Sequence, residues 1–413
     1  MVAVCGVKGI GTRYVILGNG VAGTTAAETV RKQDPSGSVV LVAGEPYPLY
    51  NRVALPRLLK GEIDEARVMM RTVEDHTRRG IQLLLGVRAV AVDFHERVVV
   101  LEDGRQLPWD RLLIATGGRP RRLQVPGGDS VGVFHFQTLD DTRAIVEHAL
   151  RARRAVTVGG SYIAYELTEG FRRRGLEIAW LIRGERFLRR VLDEAGGELV
   201  DRIARSHGVQ VIYGEEVAEV KTRDGVVTGV VTTSGRYLDC DLVGAGLGLV
   251  LNTDFLAGSP VKLGKGVVVN EYLETSVPGV YAAGDVAEFY DLFLGSHHVM
   301  GTWNNAQGHG RVAGLNMAGS RQAYEDIPYY TTTLFHTSMT TIGMTPESNP
   351  HLESETFVDF ATENYRRLFF DAEGRLVGAV LIGSLKPRRL LVQLIRSRER
   401  IADRKKLLEQ VRE

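Results

Sequence analysis

Short apolar runs alternating with longer mixed stretches set the pattern of this chain. Tyr14 to Leu17 (YVIL) is a four-residue apolar run with Gly18 directly after it and Gly11 three residues before it, the signature of a strand buried on both faces of a parallel sheet. The stretch that follows, GNGVAGTTAAETVRKQ, is rich in helix-forming Ala and Glu, and a second apolar run spans Val39 to Val42. The order returns at Ala155: the strand AVTV, the helical stretch GGSYIAYELTEGFRRRG, then the strand EIAWLIR. Further apolar strands are expected within WDRLLIATGG and TSVPGVYAAG. Near the C-terminus YRRLFFDAEGRLVGAVLIG has the pattern of a hairpin with a Gly-containing turn, ahead of a basic helical tail. No segment has the roughly 18 uninterrupted apolar residues that a membrane-spanning helix needs.

The glycines give this pattern its chemistry. Gly18, Gly20 and Gly23 form GxGxxG between a strand and a helix, and Glu45 follows the next strand, 22 residues after Gly23. Bare glycines let a pyrophosphate approach the backbone at the helix N-terminus, at Val21 and Ala22, where amides and dipole favour an anion. Glu45 is placed to accept from ribose hydroxyls. In the second unit Gly159 and Gly160 open the turn before Tyr162 and Ile163, while Ser161 and Ala164 replace the second and third fingerprint glycines. Alanine is permitted at the third position, but Ser161 is expected to place a side chain where the backbone should meet the pyrophosphate. The strand EIAWLIR ends in Arg183 instead of an acid, followed by Glu185 and Arg186. A guanidinium there suits a 2′-phosphate, so NADPH is expected to be accepted at least as well as NADH.

Composition narrows the classes. With 413 residues, two or three domains are expected. The 51 basic and 50 acidic residues give no reason to expect a nucleic-acid or membrane partner, and the local arginine clusters read as solvated faces. Cys5 and Cys240 stand far apart in no CxxC pattern, and the ten histidines, His297 and His298 included, have no ligand spacing. No metal site is expected. The N-terminal MVAVCGVKGIGTRYVILG runs straight into the first strand without a cleavable apolar core, which points to the cytoplasm.

Two more segments, WDRLLIATGGRPRRLQVPG with Ala115, Thr116 and Gly117, and TSVPGVYAAGDVAEF with Gly284 and Asp285, complete a resemblance. With both fingerprints, they make the chain similar to the FAD-dependent pyridine nucleotide-disulfide oxidoreductases. The resemblance implies an α/β fold with two Rossmann-like, three-layer dinucleotide-binding domains, the NAD domain inserted in the FAD domain, plus an α+β C-terminal interface domain. The expected divisions are 12–120 with 247–322 for FAD, 121–246 for NAD(P)H and 323–413 for the interface domain. DLVGAGLG, ending at Gly248, looks like the returning crossover, and Asp285 would bind the ribityl chain of FAD.

The stretch YNRVALPRLLKGE (Tyr50 to Glu62) lacks the cysteine that the disulfide reductases carry there. It resembles the Y-x-R-P-x-L-S-K segment of the NAD(P)H:rubredoxin and ferredoxin reductases and of the assimilatory nitrite reductase large subunit. Tyr50, Arg52 and Leu55 match, Pro56 replaces serine, and Arg57 replaces the lysine that in those relatives pairs with a glutamate, here Glu166. GTWNNAQGHGRVAGLNMAG, with Thr302 and Trp303, looks like the helix whose N-terminus faces the flavin pyrimidine, although Gly301 replaces the usual glutamate. The function so implied is hydride transfer from NAD(P)H to FAD, then direct electron transfer, without a thiol, to a small carrier protein such as rubredoxin or ferredoxin. An NAD(P)H oxidase or small-molecule reductase (quinone, oxygen, nitrite through a partner subunit) is one alternative. An FAD-binding, non-catalytic subunit of a larger redox complex is another, kept open by Ser161. The expected state is a monomer or homodimer.

Overall fold

The structure, a computed structural model, describes residues 11–293 and 295–412. The chain is α/β and divides into two compact units. The first holds the chain up to Asn51, Met69–Gly118 and Leu251–Asp326; the second holds Arg52–Val68, Arg119–Val250 and the chain from Ile327 onward.

In the first unit five parallel strands run in the order Val280–Ala282, Arg111–Ile114, Arg13–Leu17, Ser38–Val42, Ile81–Leu84. Their apolar residues, such as Ile16, Leu41, Leu113 and Ile114, are wholly buried, as strands covered on both faces require. The first fingerprint helix, Val21–Gln33, packs against the helix Trp303–Met317. Small residues set that approach: a Cβ on Gly310 would stand 2.2 Å from the Ala22 carbonyl oxygen, and one on Gly314 2.8 Å from that of Ala26.

The second unit repeats the plan with parallel strands in the order Val209–Tyr213, Glu177–Ile182, Arg154–Val158, Leu242–Ala245, Val133–His135. The second fingerprint helix is Tyr162–Arg173. The same unit carries a five-stranded antiparallel sheet, in which YRRLFF and LVGAVLI are neighbouring strands (Asn364–Phe370, Leu376–Ile382), and the helices Arg388–Ser397 and Arg404–Gln410. The stretch Arg52–Val68, which the sequence division places with the first fingerprint, belongs to this second unit. Its short helix Leu55–Lys60 lies on the second fingerprint helix, where Gly170 leaves room for the buried Leu59; a Cβ there would come within 2.5 Å of Leu59 Cδ2. Among the described residues no helix is long and apolar enough to cross a membrane, and no group of three His, Cys, Asp or Glu is placed to hold a metal ion.

Candidate functional site

The three fingerprint glycines of the first unit do three different jobs. Gly18 has φ +105°, and a Cβ on it would lie 2.2 Å from the Ala115 carbonyl oxygen, so it lets the neighbouring strand end come close. A Cβ on Gly23 would lie 1.8 Å from the Gly18 oxygen, so glycine there seats the helix against its own turn. Gly20 is the helix N-cap and has no side-chain partner to offer; a Cβ on it would meet nothing within 4 Å. That open space lies before the amides of Val21, Ala22 and Gly23, which precede the first helical hydrogen bond, Thr24 N–H to Gly20 O at 3.0 Å.

Other expected residues gather at the same strand ends. Glu45 accepts a hydrogen bond of 2.6 Å from Tyr50 Oη, which orients its carboxylate. Thr116 donates through Oγ1 to the Asn252 carbonyl at 2.8 Å, and Asn252 Nδ2 returns a bond of 2.9 Å to the Thr116 carbonyl. This clamp holds Ala115-Thr116-Gly117, and Asn252 carried no signal in the sequence. Gly284, with φ +76°, touches the fingerprint helix: its Cβ would lie 3.0 Å from that of Ala22. The half-buried Asp285 follows, and a Cβ on Gly301 would stand 3.4 Å from Asp285 Oδ2. Gly301 thus leaves the carboxylate room at the start of the helix Trp303–Met317, whose N-cap Thr302 accepts from Asn305 N–H at 3.3 Å. Beneath them His309, wholly buried and unanticipated, accepts from Gly284 N–H at 3.3 Å through Nδ1. Burial lowers its pKa to about 3, so the ring is neutral with its proton on Nε2.

At the second fingerprint Gly159 has φ +124° and lies against Gly246 O. The side chain of Ser161 has partners of its own. This residue is the N-cap of the helix Tyr162–Arg173: Oγ accepts from Ala164 N–H at 3.3 Å and donates to the Gly246 carbonyl at 2.8 Å. Its hydroxyl is fastened to its own helix and to the adjacent strand end, just ahead of Tyr162 and Ile163. Gly160 lies beside Ile182, and Gly248 (φ +87°) accepts from Arg121 N–H at 2.9 Å.

Arg183 is 76% exposed, and its Nε is 3.1 Å from Glu216 Oε1. Arg186 likewise meets Glu185 at 2.7 Å. Arg189 makes no ion pair among the described residues; its stem covers Gly184, whose Cβ would lie 3.0 Å from Arg189 Cδ.

Arg57 and Glu166 are not brought together as a pair. Arg57 is 58% exposed and its Nε faces Glu62 Oε2 at 3.5 Å. The inward cation of that helix is Lys60, three residues on, whose Nζ is 3.2 Å from Glu169 Oε1 and donates to Thr333 Oγ1 at 3.2 Å. The side chains of Lys60 and Glu169 are 5% and 1% exposed. Glu166 takes hydroxyl donors instead: Tyr330 Oη at 2.8 Å and Thr332 Oγ1 at 3.1 Å, both to Oε1. Arg52 leaves the motif in another direction, with Nη1 donating to the Gln137 carbonyl at 2.9 Å. Cys5 lies outside the described residues. Cys240 is fully buried, and burial raises its thiol to about 12.

Burial also raises Glu166 from 4.5 to about 6, against the lowering effect of its hydroxyl partners and of Lys60. Between those values the folded chain holds the proton more tightly than the unfolded one, so this group costs stability as pH rises through about 6. The shift corresponds to about 2 kcal/mol. Glu166→Gln is expected to remove that part of the pH dependence; unfolding midpoints of both proteins between pH 4 and 8 check it, and parallel curves would refute it.

The profile of the pyridine nucleotide-disulphide oxidoreductase family matches residues 12–310. The chain is 30% identical over 398 residues to the 5,5'-dehydrodivanillate O-demethylase ferredoxin reductase subunit of a Sphingobium species, covering 94% of this chain and 95% of that one. It is also 30% identical over 335 residues to apoptosis-inducing factor 3 of Mus musculus, covering 80% of this chain and 55% of that one. The chain spans about half the length, or less, of several curated relatives it matches. Its fold overlays that of the reductase in a covalent putidaredoxin reductase–putidaredoxin complex with a TM-score of 0.90 at 25% identity, covering 97% of each chain.

Proposed function

We propose, for a chain that belongs to the pyridine nucleotide-disulphide oxidoreductase family, that it is an FAD-dependent NAD(P)H oxidoreductase passing electrons directly to a small carrier protein. Residues 12–120 and 247–322 are proposed to bind FAD, 121–246 NAD(P)H, and 323–413 to form the interface domain. Bound FAD would supply the chemistry that links a two-electron hydride donor to a one-electron carrier. In the proposed FAD site, Val21 and Ala22 offer backbone amides to the pyrophosphate across the space that Gly20 leaves open. Glu45, held by Tyr50, accepts from the ribose, and Asp285 takes a ribityl hydroxyl. Thr302 and Trp303 begin the helix whose dipole favours negative charge on the ring.

For the nicotinamide nucleotide the proposed cradle is Gly159, Gly160, Tyr162 and Ile163. Either cofactor is accepted in this reading: Arg183 carries a carboxylate partner, while Arg189 is a spare cation beside the same turn. Glu166, raised by burial to about 6, is proposed to exchange a proton just below neutral pH. The buried cation expected of Arg57 is supplied by Lys60.

The observation that carries direct transfer is the helix Leu55–Lys60. Where a thiol relay needs a reactive thiolate, this helix has none and presents a buried ammonium. The relatives named above as a ferredoxin reductase subunit and a putidaredoxin reductase favour the same reading. Anaerobic titration with NADH and with NADPH should bleach a bound flavin, and adding oxidised rubredoxin or [2Fe–2S] ferredoxin should restore its colour. Cys240→Ser should keep this turnover within about threefold, a barrier change under about 1 kcal/mol. A colourless protein after FAD addition would refute the reading, and reoxidation by oxygen but by neither carrier would make the protein an oxidase.

A further inference from the structure

We propose that Glu216 sets the preference between NADH and NADPH by holding Arg183 off the 2′-position of the nucleotide, an inference that rests on the second unit binding NAD(P)H. Arg183 follows directly on the strand Glu177–Ile182, the strand end at which a Rossmann unit meets the 2′-substituent. Glu216 lies on the turn between Val209–Tyr213 and Val217–Arg223. The two turns are fastened together: Ile182 pairs with Tyr213, and Gly214 N–H donates to Ile182 O at 2.9 Å and to Gly184 O at 3.3 Å. Glu216 is anchored through its backbone, since its carbonyl accepts from Thr233 N–H at 2.9 Å and its N–H donates to Thr233 Oγ1 at 3.4 Å. Its side chain is therefore committed to Arg183 rather than to holding the turn. The adjacent Glu215 accepts from Ser234 Oγ at 2.8 Å and faces Arg236, so it does not share that role.

The charges explain the selection. Four arginines, Arg183, Arg186, Arg189 and Arg190, follow this strand within eight residues, which by count alone would invite a phosphate. Glu216, Glu185 and Glu347 face Arg183, Arg186 and Arg190, and among the described residues Arg189 makes no ion pair. The pair Arg183–Glu216 is exposed, 76% and 47%, so it is weak enough for a dianion to contest. A 2′-phosphate must displace the carboxylate and then sit near it, whereas a 2′-hydroxyl imposes neither demand. Glu216 thus acts through Arg183, as a positioning residue that lowers the affinity for NADPH without touching the nicotinamide.

The FAD-loaded chain can be tested with adenosine 2′,5′-bisphosphate and adenosine 5′-monophosphate by calorimetry, beside steady-state kinetics with NADH and NADPH. Glu216→Gln should tighten the bisphosphate relative to the monophosphate by about threefold to tenfold. The NADPH gain should lie in KM, with kcat unmoved. In an Arg183→Gln background the gain should vanish. An unmoved ratio in Glu216→Gln, or a gain that survives Arg183→Gln, would overturn the inference. A wild-type protein that binds neither probe would instead remove the NAD(P)H site itself, a different failure from normal binding with an unmoved ratio.

Discussion

Replacing Lys60 by methionine is expected to destabilise the protein by about 3–5 kcal/mol, because it strands a buried carboxylate. Glu169 is 1% exposed and faces the ammonium at 3.2 Å. Thr333 donates to its other oxygen at 3.2 Å, which cannot replace a full charge. Glu166, one turn back on the same helix, also loses the cation that holds its pKa down, so it takes up a proton more readily. The loss should therefore grow as pH rises from 5 to 8. Glu169→Gln added to Lys60→Met should recover much of the stability, because no uncompensated charge then remains at that contact. Arg57→Ala, at an exposed position, should stay within about 0.5 kcal/mol. Unfolding midpoints for the four proteins decide the point. If Arg57→Ala proved the more damaging substitution, the inward cation would have been misidentified.

The fingerprints were legible because their chemistry dictates residue type: only glycine tolerates the φ of Gly18 and Gly159 and the contacts at Gly23. The strands were legible because burial on both faces leaves continuous apolar runs. The cation beside the second fingerprint helix was not. Arg57 and Lys60 lie three residues apart on one six-residue helix, and a motif fixes a position in the chain without fixing the rotation of the helix. That rotation is set by Leu59 seated over Gly170, which turns Lys60 toward Glu169 and Arg57 toward solvent. Ser161 was legible in a different sense. A serine three residues before Ala164 is an ordinary N-cap signal, but it stood out only as a missing glycine while the pattern was judged by its ligand. The Arg183–Glu216 contact joins turns 33 residues apart and had no local sequence signal.

Alanine at Gly20 and alanine at Gly23 are expected to fail in opposite ways. At Gly23 the new methyl would stand 1.8 Å from Gly18 O and 3.2 Å from Ile16 Cγ2, both fixed in the packed strand and its turn. The helix Val21–Gln33 would have to move, and with it the contacts of Ala22 and Ala26 on the helix Trp303–Met317. The expected cost is about 1–3 kcal/mol or more before any cofactor is considered. At Gly20 the methyl meets nothing within 4 Å, and φ −61°, ψ −179° suits alanine. The apo fold should be unharmed, or steadier by about 0.4–1 kcal/mol through a less flexible unfolded chain. Its effect should fall on FAD alone, because the methyl fills the space through which the pyrophosphate reaches the amides of Val21 and Ala22. An affinity loss of at least about a hundredfold, near 2.7 kcal/mol, is expected. Melting temperatures of the apo proteins, set beside FAD dissociation constants, separate the two. If Gly20→Ala bound FAD like the wild type, the open space at this helix N-terminus would not be the pyrophosphate site.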